Sequence, residues 1–167
     1  MMKFMSEKLK TAAANHIEEL IVCCTRHQLK HTGSPIEAML LEAIMAHEYC
    51  WSGKLPKLML KEPTPETGDG RWTITPQAQI GKFRVDFLIE DLETGLKAVI
   101  ECDGHNFHER TKEQAKNDRS RDRDLQAKGY LVLRYTGSEI WADPWKCVTN
   151  IEYSLYSRMF SEVATTA

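Results

Sequence analysis

Residues 83–103, FRVDFLIEDLETGLKAVIECD, limit what this chain can fold into more tightly than any other stretch. Phe83, Val85, Phe87 and Ile89 alternate with Arg84, Asp86 and Leu88, a period of two that fits a strand and not a helix. Glu-Thr-Gly then reads as a turn, and a second apolar run, LKAVIECD, returns beside the first. With the turn centred on Glu93 and Thr94, position 86 pairs with 101 and position 84 with 103. Asp86 and Glu101 therefore face each other across the two strands, with Asp103 further along the same face. Opposed carboxylates repel unless one is protonated or a cation lies between them. A hard divalent ion such as magnesium, with oxygen ligands and retained waters, removes the conflict. It also polarises a phosphoryl oxygen and activates water. A plainer alternative stands beside this one: Arg84 opposite Asp103 as a cross-strand ion pair, with the remaining acids solvated.

The rest of the chain supplies the elements around this hairpin. Ile17, Leu20, Ile21 and Cys24 recur at helical spacing within residues 6–31, which predicts an amphipathic helix and an N-terminal helical extension over residues 1–33. Gly33 can end it, Ser34 can cap a second helix with Pro35 at its first position, and Glu37 stands three residues past that cap. The second helix is expected to run to about Cys50, and KEPTPETGDG to form an exposed loop. RWTITPQAQI reads as a strand before the hairpin. A charged helix is expected from about Thr111 to Lys128, closed by Gly129, then a buried strand, YLVLRYT, and helix from about Ser138. The fold class is α/β: a meander over about 72–102 extended by the strand at 130–135, with a helical crossover between them.

A composition of 42% hydrophobic and 28% charged residues suits one compact domain over residues 34–167. The net charge is only -2, so any nucleic-acid binding must come from a local basic face. Such a face is available in the charged helix. Lys112, Lys116, Arg119, Arg121 and Arg123 can reach phosphates, or pair with acids along a solvated helix. Asp118 and Asp122 fall on the stripe that a helix normally buries, and Arg134 on the next strand is a candidate partner for Asp122. Five scattered cysteines form no C-x-x-C pair and suggest a reduced, cytoplasmic setting, while the sequence offers no membrane-spanning run or secretion signal. Trp51, Trp72, Trp141 and Trp145 are expected mainly in the core or at its edges, with a base-stacking wedge among them as the alternative.

SPIEAMLLEAI, QAQIGKFRVDFLIE, AVIECDGHNFH and NDRSRDRDLQAKGYLVLRYTGSEI together resemble the small endonucleases related to the very-short-patch-repair endonuclease, within the PD-(D/E)xK superfamily. The likeness extends over about residues 34–148. It implies a restriction-endonuclease-like three-layer fold, with a mixed central sheet flanked by helices, and cleavage of DNA that depends on magnesium or manganese. The strand Asp of the pattern corresponds to Asp86, the next-strand Glu to Glu101 and the helix Glu to Glu37. The usual Lys two residues after the Glu is missing, and Asp103 stands there. Asp103 is then a third metal ligand beside Asp86 and Glu101, or the positive charge comes from Lys116 or His105, or the site is inactive. His108 matches the histidine that follows the acidic strand in relatives, where it can move a proton or merely pack on Phe107.

Two other readings compete. A catalytically silent DNA-binding module on the same fold would keep the basic helix without needing opposed acids. A structural zinc site on Cys102, Asp103, His105 and His108 is the weaker rival, because closed zinc sites favour paired Cys and His at spacings absent here.

Overall fold

The computed structural model describes residues 32–54, 57–58, 70–104 and 111–166. The expected N-terminal helix, most of the KEPTPETGDG loop, His105 and His108 lie outside the described residues. In chain order the elements are α1 (Pro35–Ser52), β1 (Lys57–Leu58), β2 (Trp72–Ile80), β3 (Phe83–Asp91), β4 (Lys97–Asp103), α2 (Lys112–Ala127), β5 (Leu131–Thr136), α3 (Gly137–Ala142) and α4 (Pro144–Thr166). The sheet runs β1-β2-β3-β4-β5. β2, β3 and β4 form an antiparallel meander, while β1 joins β2 and β5 joins β4 in parallel. This is the mixed sheet that the sequence predicts, with 131–136 inside it.

Turn chemistry sets the register. Gly81, at φ 60°, opens the two-residue turn between β2 and β3, a backbone setting that favours glycine. After β3 the Asp91 carboxylate accepts the N–H groups of Glu93 and Thr94 at 3.0 and 3.2 Å, and Gly95 N donates to Asp91 O at 2.8 Å. The resulting pairs, Glu90↔Lys97 through Phe87↔Ile100, follow the register centred on Glu93 and Thr94.

The sheet is covered on both faces. Leu40, Leu41 and Ile44 of α1, Ile140 of α3, and Val148, Ile151 and Leu155 of α4 pack with Trp72, Ile74, Phe87, Ile89 and Ile100. Each fully buried side chain of this kind stabilises the fold by about 1.5–3 kcal/mol. A smaller cluster joins Val85, Val99, Ala78 and Ile80 to Leu125 of α2. At the β2 start, Arg71 ion-pairs with Asp91 at 3.5 Å and with Glu152 of α4 at 3.4 Å, and lies over the Trp72 ring at 4.9 Å. The tryptophans depart from expectation: Trp72 is fully buried, but Trp51 is 76% and Trp141 73% exposed, and Trp145 is 44% exposed. All three lie on helices, and the rings of Trp51 and Trp145 lie 6.3 and 5.6 Å from that of the buried His47.

Among the described residues of α2 only Leu125 is fully buried, so one side chain carries most of that helix's apolar contact with the sheet. Leu125→Ala is expected to cost about 2–5 kcal/mol, whereas Lys116→Ala on the exposed side of the same helix should stay within about 0.5 kcal/mol. Urea unfolding of both variants checks this, and equal, mild losses would contradict the packing described.

Candidate active site

The acids gather where two strands part. β3 and β4 are hydrogen-bonded up to Phe87↔Ile100, while β4 and β5 stay paired as far as Asp103↔Thr136. Extending the β3–β4 register by one step sets Asp86 opposite Glu101. There the ladder gives way: Asp86 Oδ2 accepts the Cys102 N–H at 2.7 Å, a backbone donor answered by a side chain.

Glu101, 6% exposed, is the most perturbed acid. Burial raises its pKa to about 7; Arg121 opposes the rise, Asp86 adds to it, and Arg134 and Asp103 contribute smaller effects of opposite sign. Arg121 Nη2 donates to Glu101 Oε1 at 2.5 Å and also to the backbone carbonyl of Arg84. Arg121 was expected on the outer, phosphate-facing side of the helix. It turns inward instead, because it shares a helical stripe with Asp118, Asp122 and Leu125, and a buried Glu101 draws it.

Asp103 is also tied to a guanidinium. Arg134 Nη2 reaches Asp103 Oδ1 at 2.6 Å and Nε reaches Oδ2 at 3.0 Å, a two-pronged pair. Arg134 Nη1 extends to Asp122 Oδ1 at 3.2 Å, the partnership anticipated for Asp122. Burial works against the Arg134 charge, but the hydrogen bonds and charge of Asp103 outweigh it, so its pKa rises. The anticipated Arg84–Asp103 pair does not form; Arg84 donates to the side-chain oxygen of Gln77. Two arginines from α2 and β5 thus stand where the plain alternative had placed one from β3.

Glu37 is brought to the same end of the sheet by the start of α1. Ser34 caps the helix through Glu37 N at 3.3 Å, and the Glu37 carboxylate answers by accepting Ser34 Oγ at 2.9 Å and Gly33 N at 2.7 Å. Gln77 Nε2 adds a third donor at 2.5 Å. The Cys102 thiol lies among these groups. Burial, then the charges of Asp86, Glu37, Glu101 and Asp103, push its pKa up, which opposes the thiolate that a zinc site would require.

Lys112, Lys116, Arg119 and Arg123 are exposed on α2. Gln77 was not anticipated. It is the one non-glycine described residue with positive φ, 50°, and the β2–β3 ladder skips it: Pro76↔Phe87 and Ala78↔Val85 pair on either side. The signal was present in TITPQAQI, where a proline that cannot donate to a ladder interrupts the strand just before it.

Hard oxygen donors from Asp86 and Glu101 suit a magnesium-like ion in kind. Among the described residues no group of three or more His, Cys, Asp and Glu is arranged as a ready metal cage. Arg121 already neutralises Glu101, so metal binding there requires Arg121 to withdraw.

A three-layer α/β fold with a mixed sheet and a cluster of acids where its central strands part defines a protein of the restriction-endonuclease-like class. The restriction-endonuclease-like family REase_MTES_1575 matches residues 68–155, more than half the chain, and the protein belongs to that family. No curated protein and no solved structure matches the chain significantly. The matched segment contains Gln77, Arg84, Asp86, Glu101, Asp103, Arg121 and Arg134. Family membership makes this a nuclease-type domain. Among the described residues no helix is long and apolar enough to cross a membrane.

The raised Glu101 pKa has a thermodynamic consequence. Its folded value, about 7, lies above the ordinary 4.5, so the folded chain holds a proton that the unfolded chain releases. The stability from this group is complete below pH 4.5 and is lost as pH rises through 7. Between pH 4.5 and 7.5 wild type should lose about 1–3 kcal/mol relative to Glu101→Gln. Urea titrations of both proteins at the two pH values test this, and parallel behaviour would contradict it.

Proposed function

We propose that the protein is a metal-dependent deoxyribonuclease that hydrolyses phosphodiester bonds at the Asp86–Glu101 pair. The observation that carries this reading is the half-open ladder: two carboxylates face each other where a regular sheet would bury apolar side chains or backbone hydrogen bonds. Like charges in that position repel, and the Arg121 guanidinium answers Glu101 until a metal ion takes its place. A magnesium or manganese ion bound there would supply Lewis-acid polarisation of the phosphoryl oxygen and a water of lowered pKa. Asp86 and Glu101 would hold it. Asp86 is already oriented by Cys102 N, and Glu101 becomes available as Arg121 moves off it.

The remaining residues divide by location. Asp103 supports the site as an anchor for Arg134, and serves as a ligand only if that fork opens. Glu37 holds the start of α1 against Gln77 at the edge of the site. The exposed Lys112, Arg119 and Arg123 are suited to phosphates of the DNA flanking the cut. Lys116, His105 and His108 remain proposed proton-transfer or charge-stabilising groups. The ECDGHNFH stretch supports kinship with the very-short-patch-repair type within the family's wider class. A silent DNA-binding module is the second reading, and the Glu101–Arg121 pair favours it to the extent that the acid is already neutralised.

Purified protein should cleave plasmid DNA with magnesium or manganese and stop with chelator. Asp86→Asn and Glu101→Gln should each lower turnover on the order of a thousandfold, several kcal/mol of transition-state stabilisation, while retaining DNA binding. Arg119→Ala and Arg123→Ala should weaken binding and flatten its salt dependence. DNA left intact under every metal condition, with salt-dependent binding, would establish the silent module instead.

A further inference from the structure

Three arginines reach the acidic end of the sheet, and they are not equivalent. Arg121 is neutralised by Glu101, and Arg134 by Asp103 and Asp122. Among the described residues the Arg84 side chain is held by Gln77 alone: its Nε donates to Gln77 Oε1 at 2.7 Å and its Nη2 to the same oxygen. No carboxylate among the described residues forms an ion pair with it, and its side chain is exposed. A neutral amide orients a guanidinium without cancelling its charge. Among the described residues Arg84 therefore presents a cation that no carboxylate offsets, two residues from Asp86, and its own carbonyl is bridged through Arg121 to Glu101.

Gln77 holds this arrangement under strain. Its φ of 50° belongs to the left-handed region, which costs a side-chain-bearing residue free energy, and it lies opposite Asp86, where the β2–β3 ladder skips a pair. Its amide nitrogen donates to Glu37 Oε2 and its oxygen accepts from Arg84, so both ends are used. A sheet gains nothing from such a residue unless the side chain is needed where it points.

We infer that Arg84 is the side chain that receives the phosphate at the reaction centre, and that Gln77 is the positioning residue that aims it. This assignment rests on the nuclease reading given above. A planar guanidinium with donors left over can take two oxygens of one phosphate, beside carboxylates that would otherwise repel it. It also gives the site a positive charge in place of the lysine that Asp103 has displaced.

The test combines DNA affinity across a salt series, in chelator with a mixed-sequence duplex, and cleavage kinetics with magnesium. Arg84→Gln should reduce the slope of log affinity against log salt by about 0.9, one phosphate contact, and lower kcat on the order of a hundredfold. Arg84→Lys should recover the slope but not kcat, because the charge returns without the planar fork. Gln77→Gly relieves the positive φ, which offsets part of the donor lost to Glu37, so it should still fold and keep the slope, yet lose kcat as Arg84 swings free. Arg84→Gln and Gln77→Gly that match wild type in slope and kcat overturn the inference and leave the nuclease reading intact. If wild type binds without cutting, the slope alone decides Arg84, and an unchanged slope overturns it. Wild-type protein that binds no DNA overturns both.

Discussion

Buried carboxylates must be answered by charge or by donors, and one end of this sheet holds several of them. Glu37, Glu101 and Asp103 are each 6% exposed. An unpaired charge at that depth would cost several kcal/mol, so everything near them is arranged as compensation. Arg121 crosses from α2 to Glu101, Arg134 forks onto Asp103, and Gly33, Ser34 and Gln77 supply donors to Glu37. These contacts fix how α2 lies on the sheet, since its described residues offer only Leu125 as fully buried apolar contact. The acidic cluster is thus an organising element of the fold as well as the proposed chemical centre.

The parting of β3 from β4 serves both purposes. Ladder bonds between these strands end at Phe87 and Ile100, and the Cys102 N–H is taken by the Asp86 carboxylate. One carboxylate oxygen thereby replaces a backbone carbonyl as acceptor. The parallel pairing of β4 with β5 continues through Asp103, so Glu101 stays on a supported strand while its neighbour on β3 bends away. A site on a strand end of this kind is rigid on one side and open on the other. That suits the proposed binding of an ion and a phosphate.

Much of this was legible in the chain. Period-two alternation and a turn centred on Glu93 and Thr94 yielded the register that pairs Glu90 with Lys97 and Phe87 with Ile100. Ser34, Pro35 and Glu37 announced the start of α1 through capping chemistry that depends on neighbouring residues. What periodicity could not provide was the long-range choice among several arginines for several acids. Arg121 looked like a surface cation because α2 is charged on every side, and its inward turn depends on the depth of Glu101. Gln77 escaped because a strained φ leaves no pattern in composition; only Pro76 beside it hinted at a break. That Trp51, Trp141 and Trp145 are exposed while Trp72 is buried could not be read from the chain, because aromatic content signals apolar area without saying which face of a helix it occupies.

The central claim is that Asp86 and Glu101 share a divalent cation once Arg121 has withdrawn. Manganese scatters anomalously, so a crystal structure of the protein soaked with manganese locates the ion directly. The account predicts an anomalous peak between the two carboxylates, within bonding distance of an oxygen from each, with the Arg121 guanidinium no longer on Glu101. A peak elsewhere, or none at saturating manganese in crystals of protein that cleaves DNA with that metal, would contradict it.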